Sequence, residues 1–425
     1  MKRLLTLSFL FFVVNGCGQH PTSVLPGATP VVSPPSTTDW TSWRGPHRNG
    51  IALPQGIVSE WDATKNIRWK TDVPGRGHAS PIVVGNQVFL STAEAGKYQA
   101  LMAFNRTTGE IEWKIDLHTS GVKGKIHERN SYATSTPAYA DGALYLPCYN
   151  TGKIVMSKVD TSGNILWQKP IMDFASLWGF SVSPTIYKDL VLLAIEHLDQ
   201  GAILGLSRDT GEVVWKTPRP KTPNHASPVL LNLNGTDQLV INGAKRISSY
   251  HPETGAELWS TPATTLECVG SVVALGDLVF GSGGYPDHIT SCVSASHPGK
   301  PIWTVKKKIY APSMLAVDNH LYAVSDKGIV YCWEAKTGKE NWVARLKGDF
   351  STALVLVNDR LLAVSEQGTA YFFEARPDKF NLRATNQLGN DTFATPSVCG
   401  GLIYLRTAQR GGGQRQESLY CIGAN

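Results

Sequence analysis

The densest gathering of side chains able to exchange protons or hold charge is the segment KIDLHTSGVKGKIHERNSYAT, residues 114–134, with His118, Lys123, Lys125, His127, Glu128, Arg129, Asn130 and Tyr132. Such a run can orient an anionic or hydrogen-bonding ligand, and a long loop of this kind is costly to order without a purpose. Two further histidines, His78 and His225, stand in identical HASP tetrapeptides. They either face a ligand or hydrogen-bond the neighbouring backbone, and at this stage both roles stay open. Elsewhere the reactive residues are dispersed. The seven cysteines include no adjacent pair and no Cys-x-x-Cys, and the eleven histidines no His-x-x-x-His. No compact metal site is therefore written locally, although a Ca²⁺ site assembled from distant loops would leave no such mark.

Placing these residues requires the elements around them, and those come from a repeat. A Gly-x-x-x-Trp phrase recurs as TGEIEWK, SGNILWQ, TGEVVWK, TGAELWS, PGKPIWT and TGKENWV, at Trp113, Trp167, Trp215, Trp259, Trp303 and Trp342. IRWKT at Trp69 opens the series, and PDKFNLR forms a degraded copy with Leu382 at the tryptophan place. Each unit also holds a Ser/Thr-Pro-like element, such as HASP, TSTP or FATP, and a small residue six before the Gly. Units of about 40 to 50 residues, with four short strands, turns of Gly, Asp and Asn and no helical periodicity, predict the blades of a β-propeller. The Gly supplies a positive-φ turn before the outermost strand, and the Trp docks one blade on the next.

The last unit stops after its third strand, while NIRWKT near the start is an outer strand without a blade. Pairing the two predicts an all-β, eight-bladed propeller of four-stranded antiparallel blades, its last blade closed by an N-terminal strand. The small-residue position is held by Ala103, Ser157, Gly205, Ser249, Cys332 and Cys421, so the two cysteines there act as small hydrophobes. Cys148, Cys268, Cys292 and Cys399 are scattered among blades, and Cys268 and Cys292 are expected on the first and third strands of one blade, about 9.6 Å apart. Free, buried thiols are the expectation.

Ahead of the propeller, Lys2 and Arg3 precede an apolar run from Leu4 to Val14, too short to span a bilayer. VNGC, ending at Cys17, resembles a bacterial lipobox, which implies a signal peptide over 1–16 and a lipidated Cys17. Residues 17–39 carry five prolines and no hydrophobic periodicity and read as a tether, leaving 40–425 for the propeller. With Gly18 after the Cys, the resemblance implies secretion across the inner membrane and anchoring at the outer membrane, facing the periplasm. The anchor would be acyl chains and not a membrane span.

The Gly-x-x-x-Trp phrases resemble the tryptophan-docking motif of the pyrroloquinoline quinone (PQQ)-like propeller repeats, the quinoprotein alcohol dehydrogenase-like superfamily, which also holds the propeller lipoprotein of the outer-membrane barrel-assembly machinery. WTSWRGPHRNGIA, from Trp40 to Ala52, and HERNSYATSTP, from His127 to Pro137, look like a lipoprotein subgroup common in planctomycete-type bacteria. The resemblance implies one of two functions. The first is a non-catalytic cell-envelope lipoprotein, monomeric, whose propeller face binds or scaffolds a protein, peptide or glycan. The second is a PQQ/Ca²⁺-dependent or other oxidoreductase with an atypical channel-mouth site, in which His127, Arg129 and Asn130 would position the cofactor. The family's dehydrogenases hold PQQ with Ca²⁺, an Asp base and a vicinal disulfide. The last is missing here, so no cofactor and no catalytic residue is expected. Binding is assigned instead to His78, His127, Arg129, Asn130, Tyr132 and His225 at the channel mouth.

Three residues before the Pro, or at the equivalent place where no Pro stands, blades one to four offer His78, Thr134, Ser181 and His225, and blades five to eight Val269, Ile309, Phe350 and Phe393. A half-polar, half-apolar rim is the expectation. The net charge of +6 falls to +4 once Lys2 and Arg3 are set aside. That is too mild, and lacks the dense basic stripes, for a nucleic-acid partner; it suits weak attraction to anionic envelope polymers.

Overall fold

Short strands separated by Gly, Asp and Asn turns pair most readily as hairpins. In the computed structural model, which describes residues 38–175 and 178–424, they form eight four-stranded antiparallel sheets, with no helix among those residues. Blades one to seven run 82–118, 138–173, 185–219, 229–262, 273–305, 315–345 and 355–387. In each the strands follow chain order. Blade eight takes three strands from 397–422, and its fourth is Ile67–Val73, with Ile67 opposite Ile422 and Thr71 opposite Leu419. The ring closes as the orphan strand requires. Cys17 and the signal and tether up to residue 37 lie outside the described residues.

The tryptophans explain the repeated glycines. Trp69, Trp113, Trp167, Trp303 and Trp342 each donate the indole N–H to a backbone carbonyl of the next blade, at Arg106, Thr161, Arg208, Ala335 and Arg376, over 2.8–3.1 Å. Each ring but that of Trp342 lies on the next blade's turn glycine; a Cβ on Gly109 would fall 2.5 Å from Trp69, and φ there is +77°. Only Gly serves both needs. Trp215 covers Gly255 in the same way, while Trp259 turns its N–H to Gln238 Oε1 in its own blade at 2.8 Å. Behind the tryptophans, Ala103, Gly205, Ser249, Cys332 and Cys421 stand directly across the strand pair from Trp113, Trp215, Trp259, Trp342 and Trp69.

Cys292 belongs to this set too, opposite Trp303, although its sequence context had placed it among the scattered cysteines. Cys268 is not on a first strand, since that strand is only Val273–Leu275 and the residues before it form the incoming connection. All six described cysteines are free and buried. Leu382 does not occupy the tryptophan place in blade seven. The register puts Ala384 there, opposite Phe372, so the large and small partners have changed sides. Trp61, from the segment before the closing strand, meets Phe372 edge-on at 5.6 Å and restores the missing indole.

The Ser/Thr-Pro elements form a second belt, closer to the axis. Backbone N–H groups of Ser80, Thr136 and Ser183 donate to the hydroxyls of Thr136, Ser183 and Ser227 in the following blade, at 2.9–3.0 Å. Ser271 donates likewise to Ser313, and Ala353 to Thr395, both at 3.0 Å, while the Ser397 hydroxyl donates to the Pro81 carbonyl across the seam. Buried backbone donors are thereby satisfied at blade junctions where no strand can pair with them.

Residues 40–55 cross the bottom mouth, on the side of the first hairpin turns. Trp40 exchanges backbone bonds with Val83 of blade one, and the Thr41 carbonyl accepts from Tyr139 of blade two. Gly50 and Ala52 pair with Leu356 of blade seven, and Gln55 Oε1 accepts from Gly401 of blade eight. The Arg44 guanidinium reaches the Met314 carbonyl at 2.6 Å beside blade six. It is 1% exposed, and burial lowers its pKa to about 9. The WRGP segment is thus a cap over this face.

Candidate functional site

Connections between blades and the turns between middle strands share the top face, and there the charged segment of the sequence sits. Its strand persists to His118, so the free loop is 119–137, shorter at its start than the stretch from Lys114. The loop does not hang in solvent. Arg129 crosses to blade seven, where its guanidinium pairs with Glu366 and donates to Ser351 Oγ at 3.1 Å; Ser351 donates to the same carboxylate at 2.6 Å. Asn130 Nδ2 donates to the Trp178 carbonyl at 2.7 Å, and the His127 backbone N–H to the same oxygen at 3.1 Å. The Tyr132 hydroxyl turns back to the Gly124 carbonyl at 2.6 Å. One loop is therefore tied to blades on both sides of the axis.

His78 anchors the near side. Its backbone N–H and that of Ala79 donate to the Ala133 carbonyl at 2.9 and 3.1 Å, and its ring stacks on Phe393 at 4.2 Å. Desolvation, followed by the fields of Arg76, Arg406, Arg415 and Arg410, holds its pKa well below the usual range. Arg76 Nη2 lies 3.4 Å from His78 Nε2 and donates to the Glu128 carbonyl at 3.0 Å, tying blade one to the loop. His225 is also neutral at pH 7, its pKa lowered to about 4 by burial and then by His127. Its backbone N–H donates to the Cys268 carbonyl at 2.9 Å. Five of the six predicted site residues, His78, His127, Arg129, Asn130 and Tyr132, thus share one assembly, with His225 within reach of His127's field.

The apolar half of the expected rim is altered. Ile309 and Phe350 are fully buried in the wall and offer no open patch, while Val269 and Phe393 are half-buried. Glu366, Ser351, Trp178 and Arg76 escaped sequence reasoning. Glu366 lies in an ordinary-looking SEQG turn, and nothing local says that this turn faces the loop of another blade.

A cavity of about 10 Å³ lies under the loop, lined by Gln99, Ser131, Tyr132, Thr134 and Tyr149 among others, with space for about one water. An open groove of about 330 Å³ marks the outer rim of blades two and three, beside Lys153, Asp173, Gln200 and Lys216. Among the described residues no three His, Cys, Asp or Glu side chains gather where they could hold a metal ion, and the Glu366 carboxylate is held by Arg129.

A family profile described as outer membrane protein assembly factor BamB matches residues 51–177, 175–343 and 287–378. The chain belongs to this BamB family. Among curated proteins it is similar to polyvinylalcohol dehydrogenase from a Pseudomonas species, 21% identical over 251 residues, covering 56% of this chain and 35% of that protein. It is also similar to outer membrane protein assembly factor BamB of Yersinia pestis, 24% identical over 156 residues, covering 35% of this chain and 36% of that protein. The chain thus spans about a third of the length of these curated relatives. In fold it resembles the quinohemoprotein alcohol dehydrogenase ADHIIG of Pseudomonas putida HK5, with a TM-score of 0.66 at 12% identity over 91% of this chain and 80% of that one. One relative is named an enzyme and another an assembly factor, so the likeness carries fold and family and leaves activity to the site.

Proposed function

We propose that this protein is a non-catalytic cell-envelope scaffold whose top propeller face, led by loop 119–137, binds a protein, peptide or glycan partner. The observation that carries this reading is the cross-mouth tie of Arg129 to Glu366 and Ser351. Side chains that could have served chemistry hold the loop in place, while Lys123, Lys125, His127 and Glu128 stay exposed. A surface ordered in advance loses less entropy when a partner arrives. In this reading His127 makes contact, Arg129, Asn130 and Tyr132 position the loop, and His78 and His225 are neutral walls behind it. BamB-family membership supports an assembly role of this general kind.

The lipobox-like VNGC supports a lipid anchor at Cys17, with the Pro-rich tether holding a monomeric propeller at the outer membrane, facing the periplasm. No nucleic acid enters this scheme. The test is co-purification from solubilised envelope with the double variant His127→Ala, Arg129→Ala. Loss of a specific partner is the expected result, and an unchanged partner set would remove the loop from the site. The dehydrogenase relative supplies the rival reading. Thermal unfolding with PQQ and Ca²⁺ addresses it, since a ligand at a hundred times its dissociation constant adds about 2.7 kcal/mol; a flat melting temperature is expected.

A further inference from the structure

Two segments of the top face each carry more basic than acidic residues. Loop 119–137 holds Lys123, Lys125 and Arg129 against Glu128, an excess of +2. The middle hairpin of blade eight, Leu402–Gly411 with Gln414–Ile422, holds Arg406, Arg410 and Arg415 against Glu417, again +2. Removing Lys2 and Arg3 from the total of +6 leaves +4, so these two segments account for all of it. The remaining described residues sum to zero, with local excesses such as Lys306, Lys307 and Lys308 offset elsewhere.

Both segments rise on the same face. The hairpin is the longest pair of middle strands in the ring, at ten and nine residues against eight or fewer elsewhere. Arg76 links them: its neighbours by charge are Arg415, Asp391, Arg410 and Glu417, and it donates to the Glu128 carbonyl of the loop. Glu417 of the hairpin and the neighbouring Asp391, which lowers the excess there by one, each serve two arginines. Asp391 accepts from Arg410 and Arg415, and Glu417 from Arg415 and Arg406. Arg76 has no carboxylate of its own, and its Nε is buried without a partner. Arg410 keeps its side chain 54% exposed. The rim is short of negative charge.

We propose that the partner meets this rim with an acidic segment, rich in Asp and Glu, laid between the blade-eight hairpin and loop 119–137. The inference rests on the binding reading above and adds the chemistry of the ligand. Guanidinium groups match carboxylates in forked geometry, and this rim already uses that match twice in holding Asp391 and Glu417. A membrane surface is disfavoured because neither segment carries an exposed large apolar side chain to enter the lipid interface. Complementary charge here would act mainly on association rate and partner choice.

The test uses the full chain and a fluorescein-labelled deca-glutamate peptide, read by anisotropy at low and at physiological salt. The rim variant is Lys123→Gln, Lys125→Gln, Arg410→Gln. The control, Lys336→Gln, Lys339→Gln, Lys379→Gln, removes the same charge from exposed positions on the opposite side. Saturable binding that weakens about tenfold or more in the rim variant, stays unchanged in the control and falls with salt is expected. No binding of the peptide, or equal loss in both variants, overturns the proposal. So does binding to phosphatidylglycerol vesicles in the absence of peptide binding, which would make the rim a membrane contact. If the peptide fails but the envelope partner still depends on His127 and Arg129, the acidic ligand is wrong and the scaffold reading stands. If the peptide binds but no envelope partner depends on the loop, the reverse holds.

Discussion

The two mouths of the channel are covered by different means. At the bottom, residues 40–55 lie on the inner strands through backbone bonds and the side chains of Gln55 and the buried Arg44, with Trp40 and Arg44 both 1% exposed. At the top, residues 119–137 are held by backbone bonds to His78, Ala79 and Trp178 and by the Arg129 and Asn130 side chains, and four charged or titratable groups remain in water. Cover of the first kind behaves as core: it stabilises through buried area and offers a partner little. Cover of the second kind adds less stability but sets out a patterned surface. Long polar loops stand at the low end of local stability for the same reason that they can be functional.

That contrast can be broken by experiment. Trp40→Ala should cost about 3–5 kcal/mol, the range for a buried tryptophan, and lower the melting temperature clearly; a change below about 1 kcal/mol would mean that the bottom cap is as loosely held as the top. Arg129→Ala should cost less, about 1–2 kcal/mol, since Glu366 keeps Ser351 as a donor. Its clearer sign would be faster tryptic cleavage after Lys123 and Lys125 with little change in global unfolding.

Acid should act on the top wall. The folded pKa of His225 is lowered to about 4 from 6.5, so the unfolded chain binds the proton first as pH falls. Stability from this group is full above about pH 6.5 and declines toward pH 4, and His225→Gln should flatten that part of the curve. The smallest effect is expected from Lys123→Gln with Lys125→Gln: within about 0.5 kcal/mol in stability, whatever happens to binding.

Much of the ring was legible because its determinants are local and repeated. A Gly that must turn with positive φ and a Trp that must find a flat floor recur in register, and each blade reports the next. The incomplete last unit and the orphan IRWKT announced the seam. Blade seven was misread because compensation there is not local: Phe372 and Ala384 exchange size across a strand pair, and Trp61 arrives from a segment more than 300 residues away. The charged loop could be found as a loop, but its partner Glu366 could not, since a turn in blade seven carries no mark of what faces it across the axis. Histidines in matching HASP tetrapeptides also proved unlike in detail. His78 stacks on Phe393 under an arginine field, whereas His225 feels chiefly burial and His127.

The seam of blade eight also bears on how the molecule is made. Ile67 pairs with Ile422, so the first strand synthesised is the last to find its neighbour, and seven blades can form while it waits. Contacts of such long sequence separation are slow to form, and an unpaired strand edge invites the wrong partner meanwhile. Any helper protein that shields the nascent chain would find its target there, at residues 67–73, until the final nine-residue strand emerges.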